Sequence, residues 1–335
     1  MCIIIMQNNH KKAFIIAEIG NNHEGCFYQA KKLINAAKKC GVDAVKLQYI
    51  NPNKFIPPSD KKNLKKYERF KLSKENFLKL IKYSKKKKIK IFSTFFDFNS
   101  FNEFKKYFDM YKISSTDNNF YDFIKTIVKE KKRTFISLGL LTNIEIKKLI
   151  NFLNKIDQNN HKYITLLHCS SSYPLAYNEA NLKQILFLKK NYPKYQIGYS
   201  DHTLGIETSL CALSLGAEVI EKHFTLNNNF SKFRDHKLSS NPNEMEQLVK
   251  KSKIINQLLT TKSFKKTNQF KNKKFYRRSI FVNKDLKNGS KIKIKDLDFF
   301  RASKGISVRY LSKVVNKKLK QNIKKGNLLS KTFIK

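Results

Sequence analysis

Acidic residues are few in this 335-residue chain: 25 Asp and Glu stand against 69 Lys and Arg, leaving a formal net charge of +44. Cysteine is sparse and scattered. The five (Cys2, Cys26, Cys40, Cys169 and Cys211) are odd in number and form no CxxC pair. That argues against a disulfide framework and for reduced thiols in a cytoplasmic protein. No apolar run reaches the roughly 18 residues that a membrane-spanning helix needs. The apolar start at residues 2–6 is too short for a secretory-signal core, and no cleavage-like site follows it. Arginine is the scarcest cation, with seven residues: Arg69, Arg133, Arg234, Arg277, Arg278, Arg301 and Arg309. Since arginine is the preferred reader of phosphates and bases, and lysine is spread over nearly every segment, specific nucleic-acid binding is not expected. The charge would still draw anionic substrates toward a cleft.

What is present supports a large core. Hydrophobic residues make up 41% of the chain, including 27 Phe, and the length suits one large domain plus a small one. Apolar runs of strand type alternate with helix-period segments from residue 13 to about residue 260. Strands are expected at 13–20, 43–48, 90–94, 110–114, 134–138, 163–168, 196–199 and 218–222, with helices between them and a long polar loop over 49–72. Eight alternations over some 250 residues predict an α/β fold, a (β/α)₈ TIM barrel. Polar side chains gather on or just after these strands: Glu18, Lys46, Gln48, Thr94, Lys112, Ser115, Ser137, His168, Ser200, His202, Glu221 and His223. Their positions favour the C-terminal face of a barrel, where active sites are built.

The stretch 197–225 carries the sharpest signal. His202 shares its parity with Ser200, and His223 with Glu221, so the imidazoles can meet above adjacent parallel strands. Read as a pair they suit Mn²⁺, Zn²⁺, Fe²⁺ or Co²⁺; read separately they are two unrelated loop histidines. Lys46 lies on a strand face shared with Ala44 and Gln48, where a buried ammonium is costly unless it meets an anion. A Lys/Asn/Thr-rich stretch over 260–274 then breaks the pattern. Beyond it, SIFV, KIK and NLLS are short β-type runs between Lys-Asn-Gly and Lys-Gly turns. The expected domains are 1–260, a linker over 261–275, and a small, mostly β unit over 276–335.

The chain resembles N-acetylneuraminate (sialic acid) synthases and their sister nonulosonic-acid synthases. The resemblance rests on AEIGNNHEG (17–25), VKLQ (45–48), FST (92–94) with Asp97, YKISSTD (111–117), LHCSSSYP (167–174), GYSDHT (198–203) and EKHFTL (221–226). Past the linker, DLKNG (285–289), FFRASKGIS (299–307) and IKKG (323–326) are similar to the antifreeze-like (SAF) domain of those enzymes. The resemblance implies condensation of phosphoenolpyruvate with an open-chain N-acyl sugar and release of phosphate. It implies Glu18, Lys46 and Lys112 as catalytic residues, with Lys46 and Lys112 joined by Thr94, Ser115, Ser137 and Ser200 in holding phosphoenolpyruvate. Gln48, Asp117, Tyr173, Asp235 and Arg301 match sugar-contacting positions. His202 and His223 match the ligands of a divalent metal, Mn²⁺ foremost, with Mg²⁺ or Co²⁺ as alternatives. A domain-swapped homodimer is implied too, with Arg301 reaching the partner's site.

Several departures fall on the sugar side. Asp117 stands where these synthases often carry Glu, Ser171 at a usual Asn, Phe95 at a usual Pro and Leu138 at a usual Thr. SKFRDH (231–236) replaces a Pro-Gly-Pro-Asp-His loop. The leading sugar is N-acetylmannosamine-like, and the alternative is a legionaminate- or pseudaminate-type precursor. Readings from another class are a non-catalytic polyanion-binding or sugar-phosphate-binding protein.

Overall fold

The computed structural model describes residues 12–260 and 268–335. The apolar start at 2–6 and the stretch 261–267 of the expected linker lie outside them. By its contacts the chain divides after Thr260 into two compact units.

In the first unit, eight parallel strands close into a barrel in sequence order: β1 (Phe14–Gly20), β2 (Ala44–Tyr49), β3 (Lys90–Phe95), β4 (Met110–Ile113), β5 (Arg133–Ser137), β6 (Ile164–Cys169), β7 (Gln196–Asp201) and β8 (Val219–His223). Each is followed by at least one helix, so the expected (β/α)₈ architecture is what the chain builds. Local chemistry sets the boundaries. Phe27–Cys40 presents Ala30, Leu33, Ile34 and Ala37 to the strands and stops at Gly41, whose φ of 82° suits a residue without Cβ. Asn143–Ile156 and Pro242–Leu259 each start in a capping box, Thr142 with Glu145 and Asn241 with Glu244.

Two layers of core result. Between strands and helices, Tyr49, Phe77, Phe95 and Phe104 form an aromatic cluster with centroids 4.6–6.5 Å apart. Each such buried ring contributes about 1.5–3 kcal/mol relative to an exposed one. Inside the barrel, Phe135 packs on Phe92 at 5.3 Å and on Phe14 at 6.1 Å. Phe92 and Phe135 are fully buried. This aromatic plug fills the lower barrel, and the polar residues stand on top of it.

The segment 49–72 differs from its expected polar loop. It holds two helices, Pro52–Phe55 and Lys61–Phe70, the second capped by Asp60 accepting from the Asn63 amide at 3.1 Å. Phe70 anchors it by packing on Phe233 at 4.7 Å. The lysine-rich composition hid a helix whose apolar face is narrow.

The second unit has its own core, including Ile280, Val282, Ile292, Leu319 and Leu329. Its sheet is smaller than expected: β9 (Arg278–Val282) pairs antiparallel with β10 (Leu297–Arg301). The KIK and NLLS runs make only isolated bridges, Lys291 to Lys318 and Leu328 to Phe281. Turns and short 3₁₀ segments take the place of further strands. Among the described residues no helix is long and apolar enough to cross a membrane.

Candidate active site

Register brings the polar side chains to one level. Glu18 is paired with Lys46 on one side and His223 on the other. Gln48 pairs with Thr94, Thr94 with Lys112, Cys169 with Ser200 and Ser200 with Glu221. With period-2 alternation these residues share the barrel interior. At its centre Lys46 Nζ lies 2.9 Å from Glu18 Oε1 and 3.6 Å from Glu221 Oε2, and Lys112 Nζ lies 3.4 Å from Glu221 Oε1. Hydroxyls complete the ring. Lys46 donates to Thr94 Oγ1 (3.3 Å), Lys112 to Ser137 Oγ (2.7 Å), and Ser200 Oγ to Glu221 Oε1 (3.0 Å).

Four charges in so dry a place are strongly perturbed. Burial pushes Glu18 up to about 7, with Lys46 opposing and Glu221 adding repulsion. Burial also works against the charge of Lys46, but Glu18 and Glu221 outweigh it and raise its pKa. Lys112 is lowered, mainly by burial. Glu221 would be raised by burial, yet Lys112 and Lys46 bring it below the ordinary range. A carboxyl group poised near neutrality beside held ammonium groups is suited to proton transfer. The remaining oxygens, Glu18 Oε2 and Glu221 Oε2, are buried without a hydrogen bond.

The histidines do meet. The His202 and His223 ring centroids are 5.5 Å apart, and Tyr173 lies 4.2 Å from the first and 6.3 Å from the second. His202 Nδ1–H donates to the Ser170 carbonyl at 2.8 Å, so in the neutral ring Nε2 carries the lone pair. His223 Nδ1 is buried and unpartnered, and burial, with His202 and Lys46 nearby, lowers its pKa well below the usual value. For His202 burial works the other way from its partners: Cys169 and the Ser170 carbonyl outweigh it and raise the pKa. A divalent ion binds neutral imidazole, the form His223 already holds, and would displace the proton from His202; on those terms the pair fits a divalent ion. Among the described residues no cluster of three or more His, Cys, Asp or Glu is arranged as a metal cage. The two imidazoles therefore leave open positions, as a site that also takes substrate oxygens requires.

A buried anchor holds His202 in place. Asp201 turns away from the barrel interior and accepts from Thr203 N (2.8 Å), Thr203 Oγ1 (2.8 Å), Thr208 Oγ1 (2.9 Å) and Ser209 Oγ (2.6 Å). It also pairs with Lys222 Nζ at 3.2 Å, both side chains being fully buried. The anchor ties the residues before His202 and His223 to each other.

Above the floor a cavity of about 200 Å³ opens, lined by the expected Gln48, Ser115, Tyr173, His223 and Asp235. Gln48 is fixed there, donating to Glu18 Oε1 at 3.0 Å and accepting from Asn21 Nδ2 at 2.9 Å. Asp117 is buried, accepts from Ser114 Oγ at 3.0 Å, and is pushed by burial up to about 6. Arg234 packs over the Tyr173 ring at 4.8 Å and pairs with Asp235 at 3.2 Å. Gly139 has no room for a side chain, since a Cβ would lie 2.5 Å from Ser115 Oγ and 2.7 Å from Ser171 Oγ. Arg301 sits in the second unit at the end of β10, opposite Arg278.

Sequence reasoning grouped His168 with the polar residues at strand ends, without a role in the site, and its parity takes it away from the interior. His168 stacks on Tyr199 at 5.6 Å and bonds the Ala180 carbonyl, on the outer face of the barrel. Its neighbour Cys169 faces inward, 3.6 Å from Ser115 Oγ and 3.8 Å from His202 Nδ1. Also missed were Asn21, and Phe55, Lys66 and Tyr67 of the cavity wall. The last three lie in the segment taken for a loop; Asn21 follows Glu18 in a quoted motif and could have been found there.

Fold and site together define a barrel of enzyme type, with two buried lysines, two glutamates and a ring of hydroxyls beside a pair of imidazoles. The chain belongs to the NeuB family, whose model matches residues 33–264, and an SAF domain model matches residues 277–335. It is 35% identical to the N,N'-diacetyllegionaminic acid synthase of Campylobacter jejuni, over 95% of this chain and 99% of that one. It is 31% identical to the pseudaminic acid synthase of the same organism, over 96% of both chains. The crystal structure of an N-acetylneuraminic acid (sialic acid) synthetase from Leptospira borgpetersenii superposes with a TM-score of 0.73 at 31% identity, covering 79% of this chain and 90% of that one. The protein is thus a phosphoenolpyruvate-dependent nonulosonate synthase.

Proposed function

We propose that the chain joins C3 of phosphoenolpyruvate to the aldehyde carbon of an open-chain N-acyl hexose, in the cytoplasm and as a homodimer. The observation that carries this reading is the pair of buried ammonium groups, Lys46 and Lys112, inside a ring of hydroxyls. Phosphoenolpyruvate brings carboxylate and phosphate oxygens that compete with Glu18 and Glu221 for the same Nζ atoms. Thr94, Ser115, Ser137 and Ser200 supply neutral donors around them. As C3 attacks, the aldehyde oxygen gains a proton, and positive charge develops at C2 of the former enol. Water then adds at C2, and the tetrahedral adduct collapses with cleavage of the C2–O bond, releasing inorganic phosphate. Glu18, its pKa near neutrality, is the group that moves a proton in these steps.

His202 and His223 would hold a divalent ion, Mn²⁺ by preference with Mg²⁺ or Co²⁺ as alternatives, which when bound polarises the aldehyde oxygen. Gln48, Asp117, Tyr173 and Asp235 orient the sugar hydroxyl and N-acyl groups, with Arg301 supplied by the partner subunit. The free thiols Cys26, Cys40, Cys169 and Cys211 are consistent with the cytoplasm. N-acetylmannosamine is the leading sugar. Full-length similarity to synthases of legionaminate and pseudaminate type supports a modified N-acyl sugar as the second reading.

The test is phosphate release from phosphoenolpyruvate against a panel of N-acyl hexoses. Release is expected to depend on one sugar, and Lys46→Met and Lys112→Met each to lower kcat by roughly 10²–10³-fold, as loss of a preorganised charge donor does. Phosphate release with no sugar dependence, or none with any sugar of the panel, would refute the reading.

A further inference from the structure

Two walls of the cavity above the floor come from segments outside the barrel strands. Lys66 and Tyr67 stand on the helix Lys61–Phe70, and Phe233, Arg234 and Asp235 on the segment that follows β8. Phe70 packs on the Phe233 ring at 4.7 Å, and Lys66 Nζ lies over the same ring at 5.4 Å. Such apolar and cation–ring contacts hold two segments together without fixing their register, because neither is strongly directional. A sugar that must be met by both walls at once needs something more exact between them.

The turn after β1 supplies it. Glu24 sits in that turn with its side chain 9% exposed, and its carboxylate reaches both segments. Oε2 accepts from Arg69 Nη2 at 2.6 Å, in the last turn of the helix Lys61–Phe70. Oε1 accepts from Ser231 Oγ and lies 3.4 Å from His236 Nε2, so its partners bracket Phe233, Arg234 and Asp235. Arg69 is largely exposed, and an ion pair with so exposed a cation holds little by itself. The backbone adds to it: at Gly25, φ 77°, a Cβ would lie 2.3 Å from the Arg69 carbonyl oxygen, so turn and helix end are in direct contact. Glu24 itself has a φ of 45°, a left-handed conformation that glycine or asparagine adopts far more readily than glutamate. A turn that only had to turn would be served by glycine, as it is one residue later. What glutamate adds is the carboxylate, and that group stands behind the cavity wall, not in it.

We propose that Glu24 is a positioning residue that clasps the helix Lys61–Phe70 to the segment after β8, so that Lys66 and Tyr67 meet the sugar in fixed register with Arg234 and Asp235. Its effect on turnover rests on the sugar site proposed above; the clasp itself does not. Glu24→Gly is the informative variant, since it removes the carboxylate while suiting the backbone at that φ. Glu24→Gln keeps the shape and loses the charge. Hydrogen exchange of the full-length chain, read by mass spectrometry, needs no substrate. Glu24→Gly is expected to speed exchange by roughly tenfold or more in both 61–70 and 228–238, as loss of hydrogen bonds to a charged group implies, and to leave β1 to β8 as protected as before. Glu24→Gln should fall between. In phosphate-release kinetics Glu24→Gly should raise the KM of the sugar by roughly tenfold and leave that of phosphoenolpyruvate within about twofold, because the floor is untouched. Unchanged exchange in either segment overturns the proposal. So does exchange that rises equally in the barrel strands, which would make Glu24 a general stabiliser, and so does a loss shared evenly between the two substrates. If no sugar supports phosphate release by the wild type, the proposed reaction fails on its own, and the exchange measurement still decides the clasp.

Discussion

Asp201 is the residue whose loss should be felt most widely, although it points away from the reaction. Asp201→Ala leaves Lys222 fully buried without its counter-ion and strips four hydrogen bonds from the Thr203, Thr208 and Ser209 donors. Breaking one side of a buried ion pair costs about 3–5 kcal/mol. The ceiling comes from the escape route: neutralising a lysine of ordinary pKa near pH 7 costs about 4.6 kcal/mol. Lys222 keeps one partner, the Thr203 carbonyl, to which its Nζ also donates. Destabilisation of about 4 kcal/mol is therefore expected, or a Tm lower by roughly 8–16 °C for a barrel of this size. Removing both charges in Asp201→Ala/Lys222→Met should recover more than half of the loss, because the stranded cation is gone. Urea unfolding of the four cycle members, followed by circular dichroism, measures this. Activity separates the roles. The double variant should be folded yet slow, since His202 has lost the anchor beside it. A single variant destabilised by less than about 1 kcal/mol, or a double variant no better than the single, would refute the argument that the buried pair holds this corner.

Chelator-treated protein should stay folded but release no phosphate until Mn²⁺ or a similar ion is added, and His202→Ala and His223→Ala should each lose most activity; full turnover in excess chelator rules the metal out. His23 is buried, and burial lowers its pKa to about 4 against the attraction of the nearby Glu24 carboxylate, which raises it. Its folded pKa lies below its unfolded one, so the stability it contributes is present above about pH 6.5 and is lost as pH falls toward 4, by about 3 kcal/mol in all. His23→Gln should flatten that slope in urea melts, and an unchanged slope would count against it. Mixing Glu18→Ala with Arg301→Ala chains under subunit exchange should restore about a quarter of wild-type activity if Arg301 acts in trans, because half of the dimers are hybrids with one intact site each. No recovery from demonstrated hybrid dimers excludes the swapped site.

Much of the barrel was legible because its strands are bounded by helices of clear period and by Gly, Ser or Asn turns. The floor of the site was legible through a conflict: Lys46 lies on a face that also had to be buried, and only an anion resolves that. The same parity argument was not carried to β6, where His168 looked chemical and Cys169 did not, though it is Cys169 that faces in. Glu221 was noted at a strand end without a role. Its importance comes from touching two lysines on strands far apart in sequence, and no local pattern carries that. The helix Lys61–Phe70 was hidden by composition, since its six charged residues outweigh the buried Phe70 and the partly buried Leu64 and Tyr67 that dock it. In the second unit the SIFV run became β9, whereas KIK and NLLS make only isolated bridges and do not count as strands.

The aromatic plug of Phe14, Phe92 and Phe135 makes the barrel a tube with one blind end. Whatever binds deepest must arrive first and leave last, since nothing passes through the rings to let it out from below. With phosphoenolpyruvate on the floor, as proposed, it has to be seated before the sugar closes the mouth. The product, grown outward from that floor, stands between the released phosphate and solvent. Traffic in single file should show as a compulsory order of addition, with phosphate expected to inhibit competitively against phosphoenolpyruvate and not against the sugar, a pattern that initial-rate kinetics checks.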